Sequence, residues 1–310
     1  MPEQPLTFIL DRGIASSADL KRFKSQLGLM AELANYGSNL IARVFGSSPK
    51  QLEDATVCGL LRQFVAMIDG IEILASQGAF HSANLQVRTA LEASLYIEWI
   101  IRGDSDLKAR YYQVANLRDD RNWAQRLIPD TPEFQQYMKM CGEVGIERPD
   151  QNGHRRKIGE AETHRVDELL ASSELTEINK KFETFKKKKG YEGDWVGFLD
   201  AKSIRGVAKE LNRLPEYFSV YSRGSAVVHS ATAKDHFVDE GGAVQFRQIR
   251  DVSQAKNIFI SKFAVCTHTY RIMIEKYRSL EMPVLRRIYA EEWQPIIKSI
   301  ASESAKQKMT

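Results

Sequence analysis

The chain has 310 residues, of which 43% are hydrophobic and 27% charged, and its formal net charge is +4. That balance excludes a chain that is mainly disordered. No apolar run reaches the ~18 residues of a membrane span, since the greasiest stretch, residues 91–101, is broken by Glu92 and Glu98.

Apolar residues at Leu20, Phe23, Leu27, Met30, Leu33, Leu40, Ile41 and Val44 recur at spacings of three and four, which predicts a helix over 19–45. Ser48 and Pro49 read as the N-cap and first turn of a second helix that runs to Gln77 and stops at Gly78. A third follows over 81–101 and a more charged fourth over 104–127, closed by Pro129 and Pro132. The pattern dissolves into Gly, Pro, Asn and charge over 142–160, which predicts a long loop. Helical spacing returns over 162–189 and ends in four lysines and Gly190. Cations beside a glycine suit a helix C-terminus, and an RNA-phosphate patch is the alternative. Short helices are expected over 195–211 and 214–230, and Asp239-Glu240-Gly241-Gly242 marks the turn of a small hairpin within 237–249. Helices at 252–277 and 283–300 and a frayed tail from Ser302 complete an all-α, mainly helical bundle. Its expected parts are an N-terminal helical segment (1–48), a core (49–280) and a C-terminal helix with its tail (281–310).

Cys58, Cys141 and Cys266 are odd in number and far apart, which fits a reducing cytoplasm better than a disulfide framework or a zinc site. Residues 1–11 lack a cationic region followed by an apolar block, so no secretory signal is expected there. Glycine-rich phosphate loops and metal-binding His or Cys spacings are missing from the sequence, so no metal or cofactor is expected.

Two polar features stand out from the helical pattern. On the third helix the seam Leu85, Arg88, Glu92, Leu95, Trp99 holds two charges where packing wants Leu. Arg88 and Glu92 are four apart and can pair on one face, either as an internal clamp or as part of an active site. The second feature is residues 216–230, which gather Tyr217, Tyr221, Ser222, Arg223, Ser225 and His229 among small and apolar neighbours. His229 could serve as an acid or base near neutral pH, or hydrogen-bond Tyr217, Tyr221 or Glu92 inside the bundle while Arg223 sits on the surface.

Arg223-x5-His229 resembles the R-x4–6-H motif of the HEPN superfamily of all-α proteins. A second instance, Arg148…His154, lies in the predicted loop, where HEPN motifs are not found. The wider layout (Arg88-x3-Glu92, Trp195, Tyr217-x3-Tyr221-Ser222 leading to His229, then an acidic-Gly hairpin) resembles an uncharacterised bacterial helical family. The superfamily resemblance implies a metal-independent endoribonuclease, acting in phage defence or as a toxin, with attack by the ribose 2′-hydroxyl. It implies Arg223 and His229 as catalytic residues and Tyr221, Ser222 or Ser225 as orienting groups, with Tyr217, Arg88 and Glu92 in support. A site shared across a homodimer, RNA as partner and no metal are implied too. Gly224 departs from the superfamily, whose ribonucleases usually carry Asn, Asp or His after the Arg. The competing expectation is a non-catalytic helical module binding a partner protein or nucleotide, and a weaker one is a small ligand held by Arg88, Glu92 and the tyrosines.

Overall fold

The structure is a computed structural model and describes residues 10–47, 51–145, 153–230, 233–240 and 242–307. The helices in chain order are α1 (Ala18–Lys21), α2 (Lys24–Ser47), α3 (Leu52–Ser76), α4 (Phe80–Ile101), α5 (Ser105–Gln125), α6 (Pro132–Glu143), α7 (His154–Leu170), α8 (Thr176–Lys189), α9 (Ile204–Glu210), α10 (Leu214–Glu216), α11 (Ser222–Val228), α12 (Ala255–Tyr277), α13 (Met282–Ile288) and α14 (Gln294–Gln307). A π turn, Tyr217–Tyr221, joins α10 to α11, and another, Tyr289–Trp293, joins α13 to α14. Strands β1 (Phe237–Glu240) and β2 (Ala243–Phe246) form the expected antiparallel hairpin, with Phe237 opposite Phe246. The fold is all-α apart from this hairpin. No helix among the described residues is long and apolar enough to cross a membrane.

The chain forms two compact units: residues 1–103 with 204–310, and residues 104–203. These are not the consecutive segments 1–48, 49–280 and 281–310 that the sequence punctuation suggests. The N- and C-terminal helices pack into the same unit as α3 and α4, because α2 lies against both α12 and α14. Local boundaries also shift. Residues 154–160, expected in a loop, open α7, while 162–189 holds two helices with a break at 171–175. Helix α6 was not anticipated, although Thr131 caps it by accepting from the Phe134 N–H and Pro132 takes its first turn. Helix α14 runs on to Gln307, past the expected fraying point at Ser302. Ser48 and Pro49 lie outside the described residues.

In the first unit Phe64, Leu91, Phe259, Phe263 and Tyr270 are core side chains with at most 1% of their surface exposed. The Tyr270 hydroxyl donates to the Leu33 carbonyl at 2.6 Å, tying α12 to α2. Lys262 is fully buried in the same core, its Nζ donating to the carbonyls of Met30 at 3.2 Å and Ile68 at 3.0 Å. Burial lowers its pKa to about 8, against the pull of Cys266, Glu72 and Asp69. The unfolded chain holds that proton to near its ordinary 10.5. The cost of burying the charge is therefore full below pH 8 and is relieved as pH climbs towards 10.5. Lys262→Met removes the charge and leaves helical carbonyls that already accept within their own helices. The variant is expected to be more stable than wild type at pH 7 by on the order of 3 kcal/mol. Urea denaturation of both proteins at pH 7 and pH 10 checks this, since the gap should narrow at the higher pH.

In the second unit Arg118 is buried on α5, donating to Glu192 at 2.9 and 3.0 Å, to Asn179 at 2.7 Å, and to Glu183. Its guanidinium lies over the Phe182 ring, which packs at a tilt against Phe198, 4.1 Å between centroids. Lys186, first of the four lysines, pairs with Glu192 at 3.0 Å, and Gly190 closes α8 with φ +80° and its N–H on the Lys186 carbonyl. The lysine run thus marks a helix C-terminus, as its spacing suggests.

Candidate functional site

The polar face of α4 carries His81, Asn84, Arg88 and Glu92 at helical spacing, opposite the segment 214–228. Arg88 and Glu92 pair at 3.4 Å, with side chains 23% and 29% exposed, so the pair is partly buried. The Arg88 guanidinium lies over the Tyr221 ring, 4.2 Å from its centroid, and Nη2 donates to the Tyr221 hydroxyl at 2.6 Å. Tyr217 stacks on Tyr221 at 5.1 Å and 15°, an arrangement set by the π turn that both residues bound. Burial raises the Tyr221 pKa, and the Glu92 charge adds to that. This is the internal clamp: Arg88 and Glu92 hold the tyrosines and, through them, the start of α11.

Gly224 explains how close the two helices come. A Cβ there would lie 2.6 Å from Arg88 Cβ and 3.2 Å from the Asn84 carbonyl oxygen. Neither atom can swing aside, so α11 sits on α4 only where position 224 has no side chain. Gly224→Ala is expected to cost about 1–3 kcal/mol from the forced shift of one helix. A thermal melt followed by circular dichroism reads that loss.

Arg223 and His229 both lie at the surface. His229 follows the last residue of α11 and caps it, its backbone N–H on the Ser225 carbonyl at 3.1 Å. Among the described residues neither the Arg223 guanidinium nor the His229 ring makes a hydrogen bond or ion pair. They stand six positions apart, which is roughly 9 Å along a helix axis. The reading in which His229 hydrogen-bonds Tyr217, Tyr221 or Glu92 inside the bundle is overturned, because Arg88 holds Tyr221 and α11 ends before His229. Ser222 has its hydroxyl on the Tyr217 carbonyl at 3.3 Å, so it serves the π turn. Ser225 is half-buried. Of the second Arg-x5-His pair, Arg148 lies outside the described residues and His154 opens α7.

Two groups were missed from the sequence. His81 meets His236 with ring centroids 4.7 Å apart, and Gln254 Nε2 approaches His81 Nδ1 at 3.3 Å. Burial lowers the His81 pKa and His236 and Arg223 lower it further, against Asp235 and Asp251. His81 lies two turns before Arg88 on the same face of α4, which the spacing records, but His236 arrives only because the chain turns at Ser230 (φ +53°). His229 and His236 do not share a helix face, since α11 ends at Val228. The other group lies deeper. Glu98, 2% exposed, accepts from Arg102 at 2.7 Å, Arg213 at 3.1 Å and His268 Nε2 at 2.6 Å. His268 also lines an open cleft of about 580 Å³ with Arg271, Arg286 and Tyr289. Groups of three or more His, Cys, Asp or Glu able to hold a metal are not found among the described residues.

A family model described only as a family of unknown function, DUF5677, matches residues 54–244, more than half of the chain. The chain belongs to the DUF5677 family. The DUF5677 span starts in α3, takes in α4 and the whole second unit, and ends in β2, so it contains His81, Arg88, Glu92, Tyr217, Tyr221, Arg223, His229 and His236. Lys262 and His268 lie beyond it. No curated protein and no solved structure matches the chain.

Proposed function

We propose that this DUF5677 protein is a metal-independent endoribonuclease whose site centres on Arg223 and His229, with a role in phage defence or as a toxin. The observation that supports the reading most is that both side chains, one at the start of α11 and the other just past its end, are exposed and held by no described residue. The other prominent arginines, Arg88, Arg118 and Arg213, are all bound to carboxylates. A group kept for structure would be expected to have a partner as they do.

In this reading the 2′-hydroxyl attacks the neighbouring phosphorus, the P–O5′ bond breaks, and a 2′,3′-cyclic phosphate and a 5′-hydroxyl result. His229 takes the 2′-hydroxyl proton as general base or protonates the departing 5′-oxygen as acid. Arg223 offers its planar fork to the phosphate oxygens as charge builds on them. The Arg88–Tyr221 clamp positions α11 and touches no substrate. A homodimer would bring two such motifs together, and exposed Phe218 and Val228 on the same segment, with Phe237, Val244, Phe246 and Ile249 on and after the hairpin, supply apolar surface for such a contact. Incubating labelled RNA with the wild-type protein in EDTA tests the reading. Cleavage in EDTA is the expected result, and cleavage that appears only when a divalent metal is added would sink it.

A further inference from the structure

We infer that the second unit carries a binding site for the base and phosphate of a nucleotide, formed by α5, α6 and α7 and separate from Arg223 and His229. A pocket of about 450 Å³ is lined by Trp123, Arg126, Phe134, Tyr137 and Arg155, with Leu127, Pro129 and Met138 completing its wall. Its volume falls in the usual range for small-ligand sites. Among the described residues no acidic side chain lines it.

Trp123 carries the argument. It is 59% exposed, whereas Trp99, Trp195 and Trp293 are 2%, 6% and 1% exposed. An indole left this exposed, in a pocket shared with Phe134 and Tyr137, offers a stacking surface for a base. The Arg126 guanidinium lies over it, 4.0 Å from the ring centroid. Among the described residues the Arg126 side chain makes no hydrogen bond or ion pair, so its planar donors are open to a phosphate. The pocket is built by close helix packing. A Cβ at Gly159 would lie 2.7 Å from the Ala124 carbonyl oxygen, so α7 presses on α5 only because that position lacks one. One turn before Gly159 stands Arg155, which this contact brings to the pocket. Aromatic faces for a base and cations for its phosphate, in one concave site, are the chemistry of nucleotide binding.

Titration calorimetry with AMP, adenosine and inorganic phosphate tests the site, with tryptophan emission recorded in parallel. AMP is expected to bind and to change the emission of the exposed indole, while adenosine and phosphate, each holding half the recognised groups, bind at least tenfold more weakly. Trp123→Leu and Arg126→Ala, one exposed and one half-buried position and both checked for folding by circular dichroism, should each weaken AMP at least tenfold. Tetradeoxyadenylate, which lacks the 2′-hydroxyl and so is not a substrate of the proposed cleavage, separates the sources: tighter binding than AMP assigns the site to a strand, weaker binding to a free nucleotide. Absence of AMP binding, or equal affinity in wild type and both variants, overturns the inference and leaves the ribonuclease reading untouched.

Discussion

His229→Ala is expected to slow RNA cleavage about 100- to 10,000-fold, the usual contribution of a positioned acid or base. Arg223→Ala should cost about 100- to 1,000-fold, as loss of one donor to a developing oxyanion does. What makes these variants informative is their place in the fold. Both side chains are exposed and neither holds another described residue, so their removal should leave stability within about 0.5 kcal/mol of wild type. Rates measured on a labelled oligonucleotide, beside denaturation curves for each variant, separate chemistry from folding. A large stability loss in His229→Ala with cleavage unchanged would support a structural role, as would be expected of a binding module.

Glu98→Ala is expected to do the opposite, costing about 3–5 kcal/mol of stability because it removes one partner from a buried ion cluster. Arg213, 4% exposed, would keep Glu216 and Ser94 but lose the carboxylate at the centre, and His268 and Arg102 would lose it too. The pH dependence carries the same sign. Burial alone would raise the Glu98 pKa, but the His268 hydrogen bond and the charges of His268, Arg213 and Arg102 outweigh it and hold the carboxyl below its ordinary value of 4.5. Stability from this group is therefore full above pH 4.5 and is lost as pH falls through the folded-state value. Urea denaturation at pH 7 and pH 4 should show the wild type losing part of its advantage over Glu98→Ala at the lower pH. Equal stability of the two proteins at pH 7 would mean that the cluster contributes nothing net.

The long helices were legible because their buried faces repeat every three or four residues. Leu85, Arg88, Glu92, Leu95 and Trp99 show how far such a seam goes: the charges within it left a clamp and an active-site part both open, and only the structure supplies Tyr221 as the partner of Arg88. Contacts made by chain reversal were not legible. His236 reaches His81 through a turn at Ser230, and no periodicity records that. Glu98 read as an interruption of an apolar helix, since its partners Arg213 and His268 lie more than a hundred residues away. The second unit stayed hidden for a related reason. Residues 104–203 are inserted between helices that pack with one another, so no composition shift marks the boundaries. Gly224, a departure from the ribonuclease pattern when read as a motif position, has a packing reason in the approach of α11 to Arg88.

The central claim is cleavage by 2′-hydroxyl attack at Arg223 and His229, and one substitution in the substrate tests it most directly. An RNA oligonucleotide and a copy carrying a single 2′-deoxy sugar at the cleaved position are incubated with the wild-type protein in EDTA. The account predicts that the RNA is cut to a 2′,3′-cyclic phosphate end and that the substituted position stays intact. Cutting of both at the same rate would contradict it.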